Sequence, residues 1–106
     1  MGKYLMLWRM KKEAVPSDPE EYDKLINMLS LMVRQAMEEG VTDWGVFANN
    51  EGYAIFEGNF EDLMVGQRLI APYVEYIDVQ QVLNVEDADK VHRESMNVMK
   101  AMTPPQ

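Results

Sequence analysis

The order of hydrophobic periodicities along the chain is the feature that most constrains its fold. Apolar residues alternate, as they do in strands, in four segments, and they recur at helical spacing in three others. The strand-like segments are residues 3–10, 43–48, 53–58 and 74–82, and the helical ones begin after Asp18, after Asn59 and within two residues of Glu86. This order predicts an α+β fold in which β-α-β-β-α-β is followed by an extra C-terminal helix.

The length of the chain limits how much surface one copy can bury. At 106 residues there is room for one core, and a monomer of this size hides only about 60 to 70% of the surface that its unfolded chain exposes. Burial through association would therefore add stability. We predict a single domain over residues 1–102 and a flexible tail over residues 103–106.

Local signals predict several boundaries. Asp18 is placed to cap the first helix, with Pro19 at its first position and Glu21 placed to complete a capping box. Gly40 is placed to end that helix, because glycine accepts a positive φ at little cost. The polar cluster at residues 49–52 predicts a tight turn between the second and third strands.

The predicted strands are apolar on both faces. Right-handed crossovers place the two crossover helices on one face of a ferredoxin-like sandwich, which leaves the other face open. We expect the open face to carry some combination of Tyr4, Met6, Trp8, Trp44, Val46, Tyr53 and Ile55. A patch of this size predicts a homodimer through the sheet face. The C-terminal helix, folded back over the sheet, is the alternative cover.

Composition argues against several function classes. The chain has no cysteine, which excludes disulfides, thiolate nucleophiles and cysteine zinc sites. The formal charge of −8 argues against nucleic acid as a partner, since nucleic-acid affinity comes largely from Lys and Arg. The apolar run at residues 4–8 is too short for a membrane span. We therefore expect a cytoplasmic protein with no membrane association.

Neither the single histidine nor the methionines predict a metal or a cofactor. His92 has no partner nearby in sequence that would complete a catalytic triad, so a surface or packing role is the better interpretation. Met96, Met99 and Met102 follow one another at intervals of three, and thioethers select Cu(I). That spacing is also an apolar helix face, and methionine commonly fills irregular cores. We favour packing and predict no cofactor.

A small set of residues is a candidate ligand site. Trp8, Trp44 and Tyr53, with Arg9 near a strand end, could line a cavity for an aromatic or planar molecule. Asp78 interrupts an otherwise apolar strand and could project into a pocket, so it joins the candidate set. Packing in the core is the favoured interpretation of the aromatic residues, and protection of an edge strand explains Asp78 about as well as a pocket does.

Beyond these patterns, the chain resembles the dimeric α/β-barrel superfamily, which includes antibiotic-biosynthesis-type monooxygenases and muconolactone-isomerase-like proteins. The resemblance rests on the first strand Lys3-Tyr4-Leu5-Met6-Leu7-Trp8, the hairpin at residues 44–57, and residues 60–85 with their closing Val82-Leu83-Asn84-Val85. It implies a homodimer joined sheet to sheet and a ligand cleft between the sheet and the helices.

The resemblance implies no catalytic residue. Some members of the superfamily use a set of Asn, Trp and His or Arg; the first strand here offers Trp8 and Arg9 but no Asn. Two function classes therefore remain open. The first is a non-catalytic or small-ligand-binding homodimer. The alternative is a cofactor-independent monooxygenase-like or isomerase-like enzyme acting on a small planar or aromatic compound.

Overall fold

The computed structural model describes residues 2–102 and contains one four-stranded sheet, three α-helices and a short 3-10 helix at Lys12–Ala14. The strands are β1 (Gly2–Met10), β2 (Val41–Val46), β3 (Glu51–Gly58) and β4 (Val74–Val82). The helices are α1 (Pro19–Glu38), α2 (Phe60–Ile70) and α3 (Val85–Met102). Their order along the chain is the predicted one. The tail predicted for residues 103–106 lies outside the described residues.

The sheet is antiparallel with the strand order β2-β3-β1-β4. β1 is a central strand, as its two apolar rows predicted, and Met6 on it pairs with Ala54 on one side and Val79 on the other. β4 is an edge strand, in agreement with its mixed polar composition. The α+β class is therefore confirmed.

The ends of α1 lie where the sequence predicted them, although the cap differs. The helix begins at Pro19, and the backbone carbonyl of Asp18 accepts the hydrogen bond of Tyr22 N–H at 2.9 Å. The Asp18 side chain makes no capping hydrogen bond. Just beyond the helix, Gly40 has φ of 126°, a positive value that favours glycine.

The hydrophobic core lies between the sheet and helices α1 and α2. The buried cluster comprises Met6, Trp8, Ala54, Phe56, Leu63 and Val74. On β1 the row of Tyr4, Met6 and Trp8 therefore faces the helices, and Leu5 and Leu7 lie on the open face with their cross-strand partners.

The expected composition of the open face is thus wrong for most of its members. Tyr53 and Ile55 do lie there, paired with Leu7 and Leu5. The helix-covered face instead holds Tyr4, Met6, Trp8, Trp44 and Val46. Alternation separates two apolar rows but does not indicate which one the crossover helices will cover. In the structure the bulkier row lies under the helices.

Helix α3 extends away from the sheet. Every residue from Val85 to Met102 is exposed, and the chain measures 72 × 26 × 23 Å. Its radius of gyration is 19.0 Å, against about 13 Å for a compact domain of about 100 residues. The alternative in which this helix folds back over the open face is therefore not what the structure shows.

Candidate functional site: an apolar cleft between α1 and the sheet

A cleft of about 350 Å³ separates α1 from the sheet. The inner row of α1, which includes Tyr22, Ile26, Leu29 and Val33, lines the cleft, and Leu25 is the one residue of this helix that is buried. The opposite wall is the helix-covered face of the sheet. The long helix thus stands off the sheet along part of its length, and side chains do not fill the space between them.

Two stacked tryptophans form part of the sheet wall. The rings of Trp8 and Trp44 have centroids 5.4 Å apart and are inclined by 12°. Trp8 is 6% exposed, and its Nε1 donates a hydrogen bond to the backbone carbonyl of Tyr53 at 3.1 Å. Trp44 on the outer strand β2 is 36% exposed. The pair offers a flat aromatic surface that the hydrogen bond of Trp8 to β3 holds in place and that is accessible from the cleft.

The absence of a side chain at Gly52 allows Trp8 to lie this close to β3. A Cβ at Gly52 would come within 2.3 Å of Trp8 Cζ2 and within 2.2 Å of the carbonyl oxygen of Gly45. Both distances are far inside van der Waals contact. The position of the indole therefore depends on a glycine that the cross-strand register places opposite Trp8.

Few polar side chains reach the cleft. Tyr76 on β4 belongs to the lining, and burial raises the pKa of its phenol further above neutrality. Ser30, Glu39 and Asp62 lie at other points of the lining. An apolar cavity with a few convergent polar groups is the usual form of a small-molecule site.

The structure brings together only part of the predicted ligand set. Trp8 and Trp44 meet in the cleft. Arg9, Tyr53 and Asp78 share the rows of the sheet that face away from the helices, so they cannot reach the same molecule as the tryptophan pair. Whether either group binds a ligand stays a prediction.

The three residues on the open face already have polar partners. Arg9 Nε lies 2.6 Å from Glu75 Oε1, and the hydroxyl of Tyr53 donates to Asp43 Oδ2 at 3.0 Å. That hydrogen bond raises the pKa of Tyr53, because the carboxylate stabilises the protonated phenol. Asp78 accepts a hydrogen bond from Gln80 Nε2 at 3.0 Å.

The α1 wall, Tyr76 and Gly66 also line the cleft, although none of them is among the predicted ligand residues. One available signal was the width of the apolar stripe on α1, which exceeds what a contact with one sheet requires. Another was Gly66, because glycine is a poor helix former and here lies inside α2. A Cβ at Gly66 would meet nothing within 4 Å, so the position borders empty space.

The residues considered for metal chemistry lie elsewhere. His92 and the methionines at positions 96, 99 and 102 are exposed on α3. Among residues 2–102, no group of three or more His, Cys, Asp or Glu side chains is arranged to hold a metal ion.

The fold and the cleft define a small α+β protein with an apolar cavity between its longest helix and its sheet. No protein-family model matches the chain, and comparison with curated proteins and with solved structures finds no significant similarity. In the part of the chain that the structure describes, no helix combines the length and the apolar character needed to cross a membrane.

Proposed function

We propose that this protein binds a small, planar and mainly apolar molecule in the cleft between α1 and the sheet. The observation that carries the proposal is the cavity of about 350 Å³ beside the stacked rings of Trp8 and Trp44. Its volume falls in the range of about 300 to 1,000 Å³ that small-molecule sites occupy. A rigid planar ligand fits a wall that is itself flat and rigid.

The apolar lining would supply most of the binding free energy. An aromatic molecule that buries about 200 Å² of apolar surface gains about 5 kcal/mol from the hydrophobic effect, before the cost of lost translational freedom. Stacking on Trp44 adds about 1 kcal/mol. The neutral hydroxyl of Tyr76 is available to orient a polar edge of the ligand.

We also propose that the protein is a homodimer. The strand order β2-β3-β1-β4 supports a ferredoxin-like sandwich, and the half-exposed Leu5, Leu7, Tyr53 and Ile55 on the open face support pairing of two sheets. We accordingly propose a cytoplasmic homodimer of the dimeric α/β-barrel type. In such a dimer the cleft of each protomer would stay accessible, since it lies on the other side of the sheet.

Calorimetric titration of the full chain with N-phenyl-1-naphthylamine, an uncharged probe with a planar naphthalene ring, tests the ligand proposal. We expect one saturable site per chain and a loss of about 3-fold to 10-fold in affinity for Trp44→Ala. Phe47→Ala is the matched control, because Phe47 is another exposed aromatic residue but stacks on Tyr53 and is absent from the cleft lining. Absence of saturable binding, or equal losses in both variants, would contradict the proposal.

One observation favours the enzyme alternative. Tyr76 contributes to the cleft a titratable group whose pKa is shifted by burial, and such groups are common at catalytic sites. A cofactor-independent reaction would use the protonated phenol as a hydrogen-bond donor to negative charge that develops on the substrate. Mass spectrometry of planar compounds after incubation with the protein tests this alternative: turnover that Tyr76→Phe abolishes without loss of binding would support it, and recovery of unchanged compound would contradict it.

A further inference from the structure

The C-terminal helix α3 carries an apolar stripe that the other described residues of its protomer, 2–84, do not bury. Ala88, Val91, Ser95, Val98 and Met102 follow one another at alternating intervals of three and four, which places them on one side of the helix. All of them are exposed, and Val98 and Met102 are exposed over 57% and 78% of their surface. The opposite side carries Asp89, Arg93, Asn97 and other polar residues.

A helix of this kind is stabilised mainly by packing. In proteins most helical stability comes from packing of an amphipathic face rather than from intrinsic propensity, and α3 is an amphipathic helix of 18 residues with strong polar content. Its start is nevertheless well defined, because Asn84 Oδ1 accepts the backbone N–H of Asp87 at 2.8 Å. Only Leu83 and Asn84 separate it from β4, so the direction in which the helix leaves the sheet is restricted.

The areas available indicate what covers the stripe. Four strands spaced about 4.8 Å apart, with about 20 Å of each exposed, give the open face a footprint of about 400 Å². That is half of the about 800 Å² that each partner contributes to a stable interface of standard size. A helix of 18 residues is about 27 Å long and about 10 Å wide. If the α3 of each copy packs on the other copy, the two helices supply the remaining interface area.

We propose that α3 packs through this stripe on a second copy of the chain, which packs its own α3 on the first. This exchange rests on the homodimer of the proposed function and adds to it the element that holds the two copies together. Each copy has one open sheet face and one helix with an uncovered apolar stripe. A single two-fold axis can pair the two sheet faces with each other and place each α3 against the other copy. The protomer is 72 Å long in its longest dimension because, on this proposal, α3 extends outward to pack on the partner.

Sedimentation equilibrium on full-length variants tests the exchange. Val98→Asp places a charge in the stripe, and Asn97→Asp places the same charge one residue away on the polar side. We expect Val98→Asp to raise the dimer dissociation constant at least about tenfold and Asn97→Asp to change it less than about twofold. Far-UV circular dichroism of both variants reports whether the helix is retained. Equal dissociation constants for the two variants would overturn the exchange.

A third variant separates this inference from the proposed dimer. Leu7→Asp charges the open face of the sheet and leaves α3 unchanged. If Leu7→Asp dissociates the dimer and Val98→Asp does not, the sheet pairing stands and the exchange fails. If the wild-type chain is a monomer, both fail, while the probe titration still measures ligand binding in the cleft.

Isotope-filtered NMR gives a second and direct readout. In a dimer formed from methyl-labelled and unlabelled chains, intermolecular NOEs from the methyl groups of Val91 and Val98 would support the exchange. NOEs from these methyl groups only to their own protomer would overturn it, as would a dimer in which they show no NOE to the other chain.

Discussion

The indole of Trp8 is held against the backbone of β3 and stacks on Trp44, with ring centroids 5.4 Å apart. One ring belongs to the buried core and the other to the accessible wall of the cleft, so the stack connects the fold to the candidate site. These two residues are also the only tryptophans in the chain. Intrinsic tryptophan fluorescence is therefore a local probe of the cleft.

Truncation of the most deeply buried side chain should destabilise the protein strongly. Met6 is 1% exposed at the centre of β1, and we expect Met6→Ala to lower the free energy of unfolding by about 2 to 5 kcal/mol. Met64→Ala is the control, because Met64 lies on α2 and is 40% exposed. Urea unfolding at a fixed protein concentration measures both. A similar loss in the two variants would mean that the sheet face carrying Met6 is not the core face.

Alanine at two glycines should have opposite effects. Gly52→Ala should be strongly destabilising, because the new Cβ would clash with Trp8 and with the backbone of Gly45. Gly66→Ala should stabilise the protein by about 0.5 to 1 kcal/mol, because the site lies inside a helix and the new methyl group meets nothing within 4 Å. Thermal unfolding measures both shifts. If Gly52→Ala is neutral, the close packing of Trp8 on β3 is incorrect.

Stability should fall in alkaline solution, in part through Tyr76. Burial raises the pKa of this phenol above its ordinary value of about 10. Its contribution to stability is therefore complete below about pH 10 and is lost as the pH rises through the folded-state pKa. The free energy of unfolding, measured from pH 8 to about 11.5, should decrease less steeply in Tyr76→Phe than in the wild type. Equal slopes would show that Tyr76 is solvated.

The order and most boundaries of the elements could be predicted because their signals are local. Pro19 marks the start of α1, Gly40 follows its end, and Asn50 takes a positive φ of 63° in the hairpin turn. β2 lies two residues earlier than predicted: it spans Val41–Val46 rather than residues 43–48. The carbonyl of Gly40 already accepts a hydrogen bond from Glu57 N–H at 2.9 Å, so pairing with β3 begins directly after the glycine.

The cleft could not be predicted in the same way, because it depends on tertiary distances. The sequence indicated that Trp8 and Trp44 are apolar strand residues, but not that Trp8 lies under the helices or that α1 stands off the sheet beside it. Residue type alone places Arg9, Tyr53 and Asp78 in the same candidate ligand set as the two tryptophans. The pleat separates Arg9 and Tyr53 from Trp8 and Trp44, since neighbouring strand positions point to opposite faces.

A side chain that fills the cleft tests the proposed ligand site most directly. Gly66→Leu would place a side chain in the cavity, while Val65→Leu adds a methylene at an exposed position of the same helix outside the lining. Tryptophan fluorescence is followed during titration with N-phenyl-1-naphthylamine. We predict saturable quenching in the wild type and in Val65→Leu, with affinity reduced at least about tenfold in Gly66→Leu. Equal quenching in all three proteins would show that the probe binds elsewhere and would contradict the proposed site.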